Sequence, residues 1–190
     1  MKLLTFESSA KAASTALLSD GALLAEYTQN SGQTHSRTLM EMAKDMLGNC
    51  GLTPQDVDAV AVAAGPGSFT GVRICMATAK GAASALEVPL CGVSTLDAVA
   101  WRAWAEGVRG RVLVAADAMR KEVYPALFEI SDSEISRLTT DAVVKAVIAC
   151  EWVADQEVKL PERAGDLTIL GDALVKYRET FEPLGAIADE

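Results

Sequence analysis

Histidine occurs once in these 190 residues, at position 35. A single imidazole excludes H-E-x-x-H zinc sites and every paired-histidine centre. A Ser-His-Asp triad would have to use His35, which sits in the polar stretch Gln33-Thr34-His35-Ser36 and reads as a helix entrance with a capping or solvent-facing role. Cysteine is sparse and scattered at positions 50, 75, 91 and 150, with no C-x-x-C pair. All-cysteine zinc sites therefore lack their spacing, and the thiols read as small buried hydrophobes rather than disulfides. No apolar run reaches the roughly 18 residues of a spanning helix. The opening apolar run stops at Glu7, shorter than the h-region of a signal peptide. The chain is expected to be soluble, cytoplasmic and away from membranes. Positive charge is also short: 17 Lys and Arg stand against 26 Asp and Glu, for a net charge of -9. The basic residues do not cluster along the sequence, and phosphate affinity rests on such residues, so the chain alone is expected to be a poor nucleic-acid binder.

Apolar matter is plentiful. Half the residues are hydrophobic and mean hydropathy is +0.20, enough for a packed core in one domain or two small lobes. Residues 2–6, 13–18 and 22–28 read as three strands, the last two joined through Ser19-Asp20-Gly21, a good hairpin signal. Residues 36–50 carry one apolar helical face and end before Gly51, a suitable C-terminal cap. Thr53-Pro54-Gln55-Asp56 resembles a cap and first turn. The continuous apolar run 59–64 predicts a strand covered on both faces. A helix over 72–86, a strand over 89–93 and a helix from 94–95 to about 105 follow.

Residues 106–110, Glu-Gly-Val-Arg-Gly, break the pattern, so lobes of 1–106 and 107–190 are expected. The first strand then recurs: Leu3-Leu4-Thr5-Phe6-Glu7 resembles Leu113-Val114-Ala115-Ala116-Asp117, and at the same offset Ala16-Leu17-Leu18 lies over Ala126-Leu127-Phe128. This suggests a duplicated lobe with a carboxylate, Glu7 or Asp117, at the matching place in each. A helix capped by Thr140-Asp141 through 149, a strand over 167–170 closed by Gly171 and a helix over 172–181 complete the reading. Strands then helices, twice over, make an α/β architecture with mixed sheets.

The loop Gly65-Pro66-Gly67-Ser68-Phe69-Thr70-Gly71 joins a strand to a helix, a place where helix N-terminal amides often bind phosphate. It satisfies neither the Walker A pattern, having no lysine after Thr70, nor G-x-G-x-x-G. The competing reading is a tight turn in which Ser68 or Thr70 caps the helix. That helix is apolar on almost every side, with only Arg73, Thr78, Lys80 and Ser84 polar. One small sheet covers one side of a helix, so the remainder predicts cover by a second helix or a second protein, with burial in the core as the competing reading. The interface candidates on the two helices are Ser36, Leu39, Met42, Arg73, Met76, Ala77 and Lys80. The phosphate-side candidates are Glu7, Gly65, Gly67, Ser68, Thr70, Gly71 and Asp117. No catalytic residue and no metal ligand is assigned.

Gly65 to Ile74, followed by Ala77-Thr78-Ala79-Lys80-Gly81, closely resembles the signature of the TsaB (YeaZ) family. Glu7-Ser8-Ser9, His35-Ser36, Gly92 to Leu96, Asp117-Ala118, Glu122-Val123-Tyr124 and Ile169 to Asp172 fall in that family's order. The resemblance implies a duplicated actin-like ATPase (ribonuclease H-like) fold, shared with the catalytic paralogue TsaD. It implies a non-catalytic subunit that pairs with TsaD, while TsaE and an adenylate-forming synthase complete the pathway. The product is N6-threonylcarbamoyladenosine next to the anticodon of tRNAs reading codons that start with A. By this resemblance no nucleotide is held by the chain alone, ATP or ADP is a candidate for the joint interface with TsaD, and a homodimer is the candidate state without it. No direct tRNA binding is expected. Two departures stand out. Glu7-Ser8-Ser9 replaces the family's usual Asp-Thr-Ser, which weakens an ATPase reading, and the second lobe reads as short, so the chain is expected to be truncated after Ile187. The competing functions are a glycoprotease-like peptidase and an independent nucleotide-binding protein.

Overall fold

A computed structural model describes residues 1–31, 35–161 and 165–188, and it divides the chain into two units, Met1–Thr95 and Leu96–Glu190. The first is built on β1 (Lys2–Glu7), β2 (Ala13–Ser19), β3 (Ala22–Gln29), α1 (His35–Asn49), β4 (Ala59–Gly65), α2 (Phe69–Leu86) and β5 (Leu90–Ser94). Its sheet runs β3-β2-β1-β4-β5, antiparallel across the opening meander and parallel from β1 through β4 to β5. The meander turns at Asp20 and Gly21, both with positive φ, as a tight hairpin requires. Leu4, Phe6 and Leu17 from the strands meet Leu39, Ala43 and Met46 of α1 and Cys75 and Ala79 of α2 in one core. Each large side chain fully buried there contributes roughly 1.5–3 kcal/mol.

The second unit contains α3 (Thr95–Ala105), β6 (Gly110–Met119), β7 (Glu122–Ile130), β8 (Ile135–Arg137), β9 (Val144–Lys145), α4 (Ala149–Glu157), β10 (Thr168–Leu170), α5 (Leu174–Phe181) and β11 (Ala186–Ile187). The sheet runs β11-β10-β6-β7-β8, with β9 pairing β7. Its central strand is buried on both faces because alternate residues point opposite ways. Leu113 and Ala115 join a core with Val153, Ile169, Leu174 and Phe181, while Val112 and Val114 join another with Leu96, Ala100 and Ala103 of α3.

That second core moves the boundary. The break at 106–110 suggested division after α3, but the apolar stripe of α3 packs on the second sheet, so the division falls at Thr95 and Leu96. A second correction concerns residues 140–149, expected as a helix. Val144 is instead buried opposite Val123 in β9, a short 3-10 turn follows, and the helix begins at Ala149. Cross-strand pairing outweighed the local capping signal.

The two sheets share one plan. Read from β8, the second sheet is β8-β7-β6-β10-β11, which matches β3-β2-β1-β4-β5 strand for strand. The recurring segments are the central strands β1 and β6, each antiparallel to the next strand and parallel to a later one. The hairpin registers differ by one residue: Leu3 pairs Leu18, whereas Leu113 pairs Leu127.

Candidate functional site

The loop between β4 and α2 is stitched to the β1–β2 turn. Ser68 caps α2, its Oγ accepting the Gly71 amide at 3.2 Å, and its own N–H donates to the Ser9 carbonyl at 2.6 Å. The buried Ser8 hydroxyl donates to the Gly71 carbonyl at 2.9 Å, and the Glu7 carboxylate accepts the Ser9 amide at 2.5 Å. The glycines follow from this approach. A Cβ at Gly67 would lie 2.6 Å from that of Ser9, and one at Gly71 would lie 1.9 Å from the Ser8 carbonyl oxygen. Gly65 has a φ of +97°, open to glycine at little cost. This is the capped-turn geometry, with Ser68 as the cap; Thr70 is exposed. Cys75 lies buried beneath, and burial pushes its thiol pKa up to about 11.

Asp117 holds the corresponding place in the second unit. It accepts the Met119 amide at 3.1 Å and pairs with Lys176, while its own amide donates to Asp172 at 2.8 Å. The Asp117 carboxylate raises the Lys176 pKa above the ordinary lysine value. Both repeated carboxylates thus brace the turn after a central strand.

Helix α2 is not buried all round. Cys75, Ala79, Ala82 and Ala83 face the core, whereas Arg73, Ala77, Lys80, Gly81, Ser84 and Ala85 are exposed along a stripe of helical spacing. Arg73 stacks on the exposed Phe69 ring, 3.7 Å from its centroid. Of the residues singled out on the two helices, Ser36, Arg73, Ala77 and Lys80 are exposed, and Met42 and Met76 are half-buried. Leu39 drops out, because it is fully enclosed in the first core. The side chain of His35 lies outside the described residues. Between α1 and α2 opens an apolar hollow of about 190 Å³, lined by Met40, Ala43 and Leu47 from one helix and Ala82, Ala85 and Leu86 from the other. Gly81, Ser84 and Ala85 were missed in sequence, although their spacing from Ala77 was available there.

The chain is similar to known proteins. "tRNA threonylcarbamoyladenosine biosynthesis protein TsaB" of Bacillus subtilis (strain 168) is 31% identical over 182 residues, covering 96% of this chain and 76% of that one. The chain belongs to the TsaB family. The TsaB of Escherichia coli (strain K12) is 38% identical over 152 residues, 80% of this chain, and the match spans 65% of the longer relative. A family model described as "TsaD: tRNA N6-adenosine threonylcarbamoyltransferase" matches residues 23–176. The solved structure of YeaZ from Pseudomonas aeruginosa superposes with a TM-score of 0.82 at 32% identity, covering 99% of this chain and 83% of that one. A Bacteroides thetaiotaomicron protein with an actin-like ATPase fold, at 9% identity and a TM-score of 0.51, shows the fold alone. The duplicated mixed sheets of this TsaB-family chain are therefore an actin-like α/β fold. Among the described residues no helix is long and apolar enough to cross a membrane.

Proposed function

We propose that this chain is a non-catalytic subunit in the formation of N6-threonylcarbamoyladenosine in tRNA, and that it acts in the cytoplasm by binding and supporting TsaD. The observation that carries this reading is the exposed stripe of α2 beside α1. Ala77, Gly81, Ser84 and Ala85 offer a helix face of small residues, and the apolar hollow next to it accepts side chains from outside. Small residues let a second pair of helices approach closely, and Arg73 and Lys80 edge the stripe with charge that fixes orientation. A related subunit of the same fold presents two equivalent helices, giving a four-helix interface. Without it, a second copy can occupy the same face.

The glycine loop supports a structural rather than a hydrolytic role. Its close packing on Ser8 and Ser9 leaves no space for a methyl group at 67 or 71, and it carries no lysine. In this reading ATP or ADP is held jointly with TsaD, and TsaE acts on the assembled pair.

Reconstitution tests the proposal. The chain should co-elute with TsaD of the same organism. Threonylcarbamoyl transfer should need TsaD even when the adenylate intermediate is supplied. Transfer by the purified chain without TsaD would refute it.

A further inference from the structure

Basic residues that lie apart in the sequence meet at one end of the second sheet. The β6–β7 hairpin turns through Met119, Arg120 and Lys121, with φ of 64°, 51° and 65°. Three successive left-handed residues without a glycine are costly, so the surroundings must impose them. They do so through the acids. Asp172 accepts the Asp117 amide, Asp117 accepts the Met119 amide and pairs with Lys176, and the Lys121 carbonyl accepts the Ala146 amide at 2.9 Å. Two carboxylates are thereby engaged at the base of the hairpin, behind its tip.

The cations at the tip are open to solvent. Arg120 and Lys121 are exposed, and among the described residues neither has an acidic partner. Lys145, also exposed, lies across the β7–β9 ladder from Glu122, one residue beyond Lys121. A chain of net charge -9 therefore carries a hairpin tip with two adjacent exposed cations, unpaired among the described residues, and a third across the ladder from Glu122.

We propose that this tip, Arg120 and Lys121 flanked by Lys145, contacts phosphate groups of an RNA backbone. The choice of RNA rests on the function proposed above. Geometry favours it over an acidic protein surface: phosphate contacts need only point charges and a guanidinium fork, as at this hairpin tip, whereas protein docking needs a broad face. Such a contact departs from the expectation of no direct tRNA binding: it orients a tRNA bound mainly by other subunits and leaves binding by this chain alone weak.

The test uses the full chain, labelled with nitrogen-15, titrated with an anticodon stem–loop RNA at low salt. Amides of residues 118–122 and 145 should shift, the shifts should collapse as salt rises to about 0.2 M, and R120Q/K121Q should abolish them. R120G, whose φ suits glycine, removes one cation without burdening the fold and should weaken the shifts. In the assembly with TsaD, R120Q/K121Q should lower tRNA affinity about tenfold and reduce the salt slope by roughly 1.5–2, with co-elution unchanged. Shifts elsewhere only, salt-independent shifts, or equal shifts with a polyglutamate peptide would overturn the proposal. So would loss of co-elution in the variant, which would make the tip a protein contact. If the wild-type chain fails to co-elute with TsaD, the proposed function fails, and the titration of the chain alone still decides this proposal.

Discussion

Replacing Gly71 by alanine adds one methyl group at the place where α2 leaves the glycine loop. The new Cβ would stand 1.9 Å from the carbonyl oxygen of Ser8, and the Ser8 hydroxyl already donates to the Gly71 carbonyl. Relief requires the loop or the β1–β2 turn to move by about an ångström or more, and both are backbone, so no side chain can simply rotate away. Overpacking of this kind costs about 1–3 kcal/mol, and the strained Ser8–Gly71 hydrogen bond adds roughly 1 kcal/mol. A destabilisation of about 3 kcal/mol corresponds to a drop in Tm on the order of 6–12 °C for a chain of this size. Gly81 is the control on the same helix: a Cβ there meets nothing within 4 Å, and alanine should stabilise the chain by about 0.5–1 kcal/mol through helix propensity. Thermal and urea unfolding of the two variants read the difference. Gly71→Ala within 1 kcal/mol of wild type would refute the view that this glycine is required by backbone packing.

Arg111 is 3% exposed and binds Glu129 at 2.7 Å, Glu157 at 3.1 Å and the Pro161 carbonyl at 3.2 Å. Arg111→Ala should cost about 3 kcal/mol in urea unfolding, because it strands carboxylates partly shielded from water; a loss under 1 kcal/mol would show the cluster to be idle. Cys75, its pKa raised to about 11 by burial, should resist a thiol reagent at pH 8 until the chain unfolds, whereas the exposed Cys91 reacts at once. The raised thiol pKa also has a sign: Cys75 contributes stability below its unfolded pKa, and that contribution is lost as pH rises from about 9 through about 11. Stability at Cys75 that grew across that window would contradict its burial.

Much of the first unit was legible in sequence because its signals are local. Asp20-Gly21 specifies a hairpin, the apolar face of α1 has helical period, and the run in β4 reads as a covered strand. The repeat of residues 3–7 at 113–117 foretold the shared strand plan. The second unit was less legible because its order depends on distant partners. Val144 becomes a strand through Val123, and α3 is drawn away from the first unit by Val112 and Val114. The site followed the same rule. Glycine spacing located the loop, but only Ser8 and Ser9, some 60 residues away, explain why glycine is needed there. Composition marked α2 as apolar on almost every side, yet which of its residues face outward, Ala77 rather than Met76, waited on the sheet beneath.

The central claim is that the exposed face of α2 binds a related subunit, and Ala77 tests it most directly. Ala77 is exposed, whereas Met76 packs against the core. Ala77→Arg should leave the fold of the chain within about 0.5 kcal/mol of wild type, as exposed substitutions do. At a close-packed helix interface the same change buries an unpaired charge, costing about 3–5 kcal/mol, enough to weaken association by two orders of magnitude or more. Size-exclusion chromatography of the variant with TsaD, alongside its circular dichroism, measures both. Loss of co-elution by a folded variant is the predicted result; a folded variant that still co-elutes would contradict the account.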